Sequence, residues 1–79
     1  MTNAEIDACI LRACGMDWTK VAMVFARVDR ETGVLEKDWG GRLLTKRLIA
    51  LLRKGEIISA GNIHRWRWSE VKIWQRELR

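Results

Sequence analysis

Three stretches in which apolar residues recur at helical spacing, each followed by a glycine, set the main limits on the fold. The first places apolar residues at i, i+3, i+4 and i+7, the pattern of one face of a helix: Ile6, Cys9, Ile10 and Ala13. Thr2 and Glu5 have the spacing of a capping box, and Gly15 supplies the left-handed conformation favoured at a helix end. We therefore predict a helix over about residues 3–14.

A second helix is predicted over about residues 17–31. Asp17 is a suitable N-cap, because its carboxylate accepts from free backbone N–H groups and favours the positive end of the helix dipole. The residues expected on its buried face are Trp18, Val21, Val24, Phe25 and Val28. Thr32 and Gly33 break the pattern. The Val34-Leu35 pair that follows is expected to be an extended stub or a staple for the next helix.

The third predicted helix covers about residues 38–54, with Asp38 as its cap and Gly55 as its end. Its expected core stripe consists of Leu44, Leu48, Leu51 and Leu52. At about 100° per residue, the opposite face carries Arg42, Lys46 and Arg53. The exposed face of this helix is therefore predicted to be basic.

After Gly55 the sequence pattern changes from helical to extended. Residues 56–60 form a short β-type run, Gly61-Asn62 suits a two-residue turn, and residues 63–73 continue as a longer strand, which predicts a hairpin over about 56–73. In this register Ile57 lies opposite Trp66. We expect the face with Trp66 and Trp68 to cover the helices, and Arg65 and Arg67 to point to solvent.

These elements predict a mainly α protein with a C-terminal β-hairpin (α+β class), in one domain over residues 1–79. The length of 79 residues leaves no room for a second domain, because domains commonly have on the order of 100 residues or more.

Five tryptophans supply a large apolar surface that could be buried in so small a core. We expect Trp18, Trp39 and Trp74 to pack.

The charge is unevenly distributed along the chain. The net charge is +5, but residues 1–41 hold five Lys and Arg against seven Asp and Glu, whereas residues 42–79 hold ten against three. A chain with a mildly acidic first half and a basic second half has the charge distribution expected of a protein that binds nucleic acid or another polyanion. A solvated basic surface without a partner is the alternative.

Other classes of function receive little support from the sequence. The two cysteines, Cys9 and Cys14, are expected to be small core residues, and with His64 they fall short of the four ligands of a structural zinc site. We find no glycine-rich phosphate loop and no nucleophile with a partner for His64, so we expect neither an enzyme nor a cofactor. We also see no signal-like start and no apolar run near the ~20 residues that span a bilayer, so we expect a cytoplasmic location and no membrane partner.

Three helices followed by a hairpin is the order of a winged helix-turn-helix domain. In such domains the third helix can enter the major groove of DNA, and the hairpin, or wing, touches the backbone or the minor groove. The predicted nucleic-acid contacts are Arg42, Lys46 and Arg53 on the helix, and Asn62, His64, Arg65 and Arg67 on the wing. DNA is favoured over RNA, and a regulatory role is one possibility.

A closer resemblance extends over nearly the whole chain. Four segments carry it: 48–57 (LIALLRKGEI), 61–63 (GNI), 67–72 (RWSEVK) and 17–22 (DWTKVA). They resemble a bacterial winged-helix family of unknown function that also occurs at the C-terminus of larger proteins. The resemblance implies the fold rather than an activity, and it carries over no binding residue. The pattern of that family includes Gly55, Gly61 and Glu70. These positions imply turns at the glycines and an ion pair at the glutamate.

Two features favour a different function. The predicted connection between the second and third helices, residues 31–37, is longer than the three to four residues of the usual turn, and Asp38 would repel phosphate. The alternative is a protein-interaction module or homodimer, with Ile49 and an exposed hairpin tryptophan as anchors. The alternation of Arg65 and Arg67 with Trp66 and Trp68 is also compatible with base stacking, although packing of these tryptophans is the favoured interpretation.

Overall fold

The computed structural model describes residues 2–36, 41–63, 65 and 68–74. In chain order the elements are α1 (Asn3–Cys14), β1 (Thr19–Lys20), α2 (Val21–Thr32), a 3-10 turn (Val34–Glu36), α3 (Arg42–Lys54), β2 (Ile57–Ala60) and β3 (Glu70–Ile73). The protein is therefore mostly helical, with a three-stranded antiparallel sheet in the order β1-β3-β2. No helix in the described part of the chain is both long enough and apolar enough to cross a membrane.

Helix α1 has the predicted bounds and the predicted cap. The Thr2 hydroxyl accepts from the Glu5 backbone N–H at 3.1 Å, and the Glu5 carboxylate accepts from the Thr2 backbone N–H at 2.8 Å. The two bonds satisfy backbone donors that the first turn leaves free. The same hydrogen bonds lower the pKa of the Glu5 carboxyl. Gly15 closes the helix with a positive φ of 72° but an extended ψ, rather than the left-handed conformation that we predicted.

Helix α2 begins four residues later than predicted. Its N-cap is Lys20, which makes no side-chain capping bond, so the prediction of Asp17 as the cap was wrong. The reason is tertiary: Thr19 and Lys20 pair with β3 as a short strand, which keeps this segment out of the helix. Trp18 therefore precedes the helix instead of sharing its buried face.

Helix α3 begins at Arg42 and ends at Lys54, as predicted at its C-terminus. Gly41 is its N-cap, in the left-handed conformation at φ 71°. A Cβ at this position would lie 3.3 Å from the Phe25 ring, so Gly41 also allows a close approach to α2. The predicted cap Asp38 lies outside the described residues. After α2, the described residues 33–36 contain the 3-10 turn, where a stub or staple was expected.

The predicted two-stranded wing is not confirmed, because the sheet has three strands and its register differs. Ile57 pairs with Ile73 and Ala60 with Glu70, so a nine-residue loop over 61–69 replaces the two-residue turn at Gly61-Asn62. The sequence leaves apolar residues on both faces of residues 63–73, and it therefore does not select the register. The register is selected by the pairing of β3 with both β1 and β2, which buries Val71 in the core.

The core lies between the helices and one face of the sheet. Leu44, Leu48 and Leu51 of α3 are buried as predicted, while Leu52 is only partly buried. The core is completed by residues of the other elements: Ile6, Cys9, Ile10, Ala13, Cys14, Val21, Val24, Phe25, Val28, Ile57 and Val71. The cysteines are thus free and buried, as expected.

The tryptophans contribute less to this core than predicted. Trp68 is 82% exposed, and Trp18 and Trp74 are 43% and 48% exposed. The expectation that Trp68 covers the helices was therefore wrong, and Trp18 and Trp74 are only half-buried. Trp39 and Trp66 lie outside the described residues. Because the described core is filled by aliphatic side chains and Phe25, the rings of Trp18, Trp68 and Trp74 remain at its edge or beyond it.

Candidate nucleic-acid interface

The outward face of α3 carries three of the predicted contact residues. Arg42, Lys46 and Arg53 are all exposed, and at about 100° per residue they fall within about 40° of one another around the helix axis. The leucines of the core stripe lie on the opposite side. None of the three cations forms a hydrogen bond or ion pair with another described residue. This basic stripe (Arg42, Lys46, Arg53) is therefore available to an anionic ligand.

The neighbouring cation Arg47 has a different role. Its guanidinium donates two hydrogen bonds to the Asp7 carboxylate, Nε to Oδ1 at 2.8 Å and Nη2 to Oδ2 at 2.7 Å. Both side chains are largely buried, with 20% and 14% of Arg47 and Asp7 exposed. Bidentate Arg–carboxylate pairs are among the stronger and more directional polar contacts in proteins. This pair joins α3 to α1 and so fixes the direction in which the basic stripe faces.

The loop over 61–69 carries the other predicted contacts. Asn62 and Arg65 are exposed, as predicted, whereas His64 and Arg67 lie outside the described residues. The Arg65 N–H donates to the Asn62 carbonyl and the Trp68 N–H to the Arg65 carbonyl, both at 2.9 Å. These two hydrogen bonds link the described loop residues Asn62, Arg65 and Trp68 to one another.

Both ends of this loop are held firmly. Gly61 has a φ of 89°, and a Cβ there would lie 3.4 Å from the Ser69 Cα and the Trp68 carbonyl oxygen. Ser69 is fully buried, and its carbonyl accepts from the Val21 N–H at 3.0 Å. The loop is therefore anchored on the first residue of α2. Gly55 ends α3 in the left-handed conformation at φ 80°, as predicted, whereas Gly61, also at a positive φ, does not form the predicted two-residue turn.

Sequence reasoning missed the features that position the site. The Asp7–Arg47 pair joins residues 40 positions apart, and no local pattern indicates it. Burial of Ser69 was also missed, because a serine between Trp68 and Glu70 is typical of a solvated segment. The ion pair suggested for Glu70 is not formed with any described residue.

The outer face of the sheet has a separate aromatic contact. The Lys72 ammonium lies 4.9 Å from the centre of the Trp18 ring, a cation–π distance.

Beyond the end of β3, an open cleft of about 350 Å³ is lined by residues of α1, the α3 end and β3: Leu11, Lys54, Gly55, Glu56, Ile73 and Trp74. Its composition is mixed, and it offers no convergent set of polar groups of the kind that fixes a small ligand.

The described surface carries exposed cations on α3 and an exposed tryptophan in the loop over 61–69. The two thiols are not accessible nucleophiles, because burial raises the pKa of Cys9, and that of Cys14 to about 11. Comparisons with protein-family models, curated proteins and solved structures find no match to this chain.

Proposed function

We propose that this protein is a non-enzymatic winged helix-turn-helix module that binds nucleic acid, with DNA favoured, through the basic stripe of α3 and the loop over 61–69. The observation that carries the proposal is the contrast within α3. Arg47 is paired with Asp7, while Arg42, Lys46 and Arg53 are exposed on one face with no partner among the described residues. A regulatory role in the cytoplasm is the setting that we infer.

The order of the elements supports the winged-helix part of the proposal. Three helices precede an antiparallel strand pair, β2 and β3, and the loop between these strands takes the place of the wing. In a typical helix-turn-helix a tight turn of three to four residues orients the last helix, but α2 and α3 are farther apart in the chain than such a turn allows. Instead, Gly41 packs on Phe25 and Arg47 binds Asp7, and these contacts present the outward face of α3.

Electrostatics support the nucleic-acid part. Each cation that neutralises a phosphate releases a condensed counterion, which makes binding favourable and strongly dependent on salt. A protein whose residues 42–79 hold ten Lys and Arg against three Asp and Glu matches such a ligand. The three cations of α3 also share one helix face, as a groove requires.

The test is a salt titration of binding to a random duplex, with the Arg42→Glu/Lys46→Glu variant beside the wild type. We expect wild-type affinity to fall steeply with salt. The variant is expected to bind at least about tenfold more weakly at low salt, and its log–log salt slope to be smaller by about 2, since roughly one unit is lost per phosphate contact.

The matched control is Lys20→Glu/Arg30→Glu, which lowers the net charge by the same amount at exposed positions outside α3. It should retain most of the affinity. Equal losses in the two variants would mean that net charge alone governs binding, and no binding of the wild type at low salt would overturn the proposal.

A second candidate is a protein-interaction module or homodimer, favoured by one observation. Trp68 is 82% exposed, and exposed tryptophan is enriched among the residues that dominate protein interfaces. Ile49, which lies within the basic stripe, is partly buried and is the second anchor in this alternative. A wild-type protein that fails to bind any oligonucleotide at low salt would favour it.

A further inference from the structure

We propose that Trp68 is a stacking platform for an unpaired base, so that the ligand of this protein is a nucleic acid with a single-stranded segment next to a duplex. This inference rests on the proposed function and specifies its ligand. It starts from the exposure of Trp68, which at 82% is the most exposed large hydrophobic side chain in the described part of the chain.

The backbone around Trp68 is held in place although its side chain is free. Its N–H donates to the Arg65 carbonyl, its carbonyl oxygen lies against Gly61, and the next residue, Ser69, is fully buried and bonded to α2. Because this part of the backbone is already fixed, only the two side-chain torsions of the indole remain to be ordered when it contacts a ligand.

The chemistry of the loop indicates which ligand this is. Residues 61–69 contain two arginines, one histidine and two tryptophans, but no Asp or Glu. A ligand that pairs with these cations and also stacks on the indole must carry negative charges and flat aromatic groups that alternate along its length. Nucleic acid has both, whereas a lipid surface or an acidic peptide supplies the charge without a regular series of aromatic faces.

The indole also selects the form of the nucleic acid. In a continuous duplex the faces of the bases are covered by their neighbours, and only their edges are accessible in the grooves. A base in a single strand exposes its face, and stacking on an aromatic side chain is worth about 1–3 kcal/mol per base. Trp68 would then bind an unpaired base of the ligand, while the basic stripe on α3 binds the phosphates of its duplex part.

The experiment compares binding to a blunt duplex annealed from two complementary strands and to the same duplex with a short thymine overhang. We expect the wild type to bind the overhang form roughly 5- to 150-fold more tightly, with quenching of tryptophan fluorescence. Trp68→Ala should bind both forms with the affinity that the wild type has for the blunt duplex. Trp68→Phe should keep part of the preference, and Trp68→Leu, which retains apolar area without a π-face, should lose it.

The control variant is Trp74→Ala, which removes a half-exposed tryptophan outside the loop and should leave the overhang preference intact. Because Trp68 is so exposed, its variants should unfold at the wild-type temperature within a few degrees, so a loss of preference does not reflect misfolding. An unchanged preference in Trp68→Ala, or equal wild-type affinity for the two forms, would overturn the inference while leaving duplex binding through α3 in place. Absence of any binding would overturn the proposed function itself.

Discussion

At the scale of single residues, burial separates the side chains that can react or bind from those that cannot. The thiols of Cys9 and Cys14 lie in the core, where loss of hydration disfavours the thiolate. The Arg12 guanidinium donates to the Cys9 sulfur at 3.1 Å, but burial is the larger influence and the pKa of Cys9 is still raised. The cysteines are thus structural, in contrast to the exposed cations of α3.

This burial predicts slow alkylation of the native protein. At about pH 8, iodoacetamide should modify either thiol at less than roughly a tenth of the rate of free cysteine, because only the thiolate reacts. In denaturant both should react at the ordinary rate. Mass spectrometry of timed samples measures this directly, and fast modification of Cys14 in the native state would contradict the burial described above.

At the scale of elements, one polar contact links α3 to α1. Hydrogen bonds from Arg47 lower the pKa of the Asp7 carboxyl below its usual 3.8. A carboxyl whose pKa is lower in the folded state stabilises the protein above its unfolded pKa, and this contribution is lost as the pH falls through the folded value. The link between α1 and α3 therefore weakens only in acid.

We expect Asp7→Asn to reduce the free energy of unfolding by about 1–3 kcal/mol near neutral pH, since it breaks a largely buried, charged hydrogen-bonded pair. Below about pH 4 the difference from the wild type should narrow, as the wild-type carboxyl also becomes neutral. Chemical denaturation over a range of pH measures both effects.

The matched control is Glu31→Gln, which breaks the Arg12–Glu31 ion pair at 2.6 Å, whose side chains are more than half exposed. Exposed ion pairs contribute little, about 0–1 kcal/mol. A cost for Glu31→Gln as large as that for Asp7→Asn would argue against a special role of the α1–α3 pair.

At the scale of the whole molecule, the sheet closes the core with one face and leaves the other to solvent. Ile57 of β2 is buried, whereas its neighbour Ile58 points to the opposite face and is partly exposed beside Lys72. Among the described residues, the outer face of the sheet and the basic stripe of α3 are thus two separate exposed surfaces.

This arrangement predicts unequal costs for truncating two adjacent isoleucines. Ile57→Ala should lower the free energy of unfolding by about 2–5 kcal/mol, because it leaves a cavity in the core. Ile58→Ala should cost less than half as much. Thermal or chemical denaturation distinguishes them, and equal costs would show that the sheet packs in another register.

Local signals in the sequence were sufficient for much of the helical part of this protein. The capping box at Thr2, the leucine spacing of α3 and the stop at Gly55 act within one or two turns, so the bounds of α1, the end of α3 and its basic outer face could be predicted from them. The same holds for the exposure of Arg42, Lys46 and Arg53, which follows from the position of the leucines.

Only the tertiary structure decided the remaining features, because each depends on groups far apart in the chain. The pairing of Thr19 with Val71 makes a strand where a helix start was predicted, and it moves Trp18 to the surface. The register of β2 and β3 follows from burial of Val71 rather than from the Gly61-Asn62 turn signal, and it leaves Trp68 exposed. Residue spacing determines which face of a helix is apolar, but long-range pairing determines which of several apolar side chains the small core can enclose.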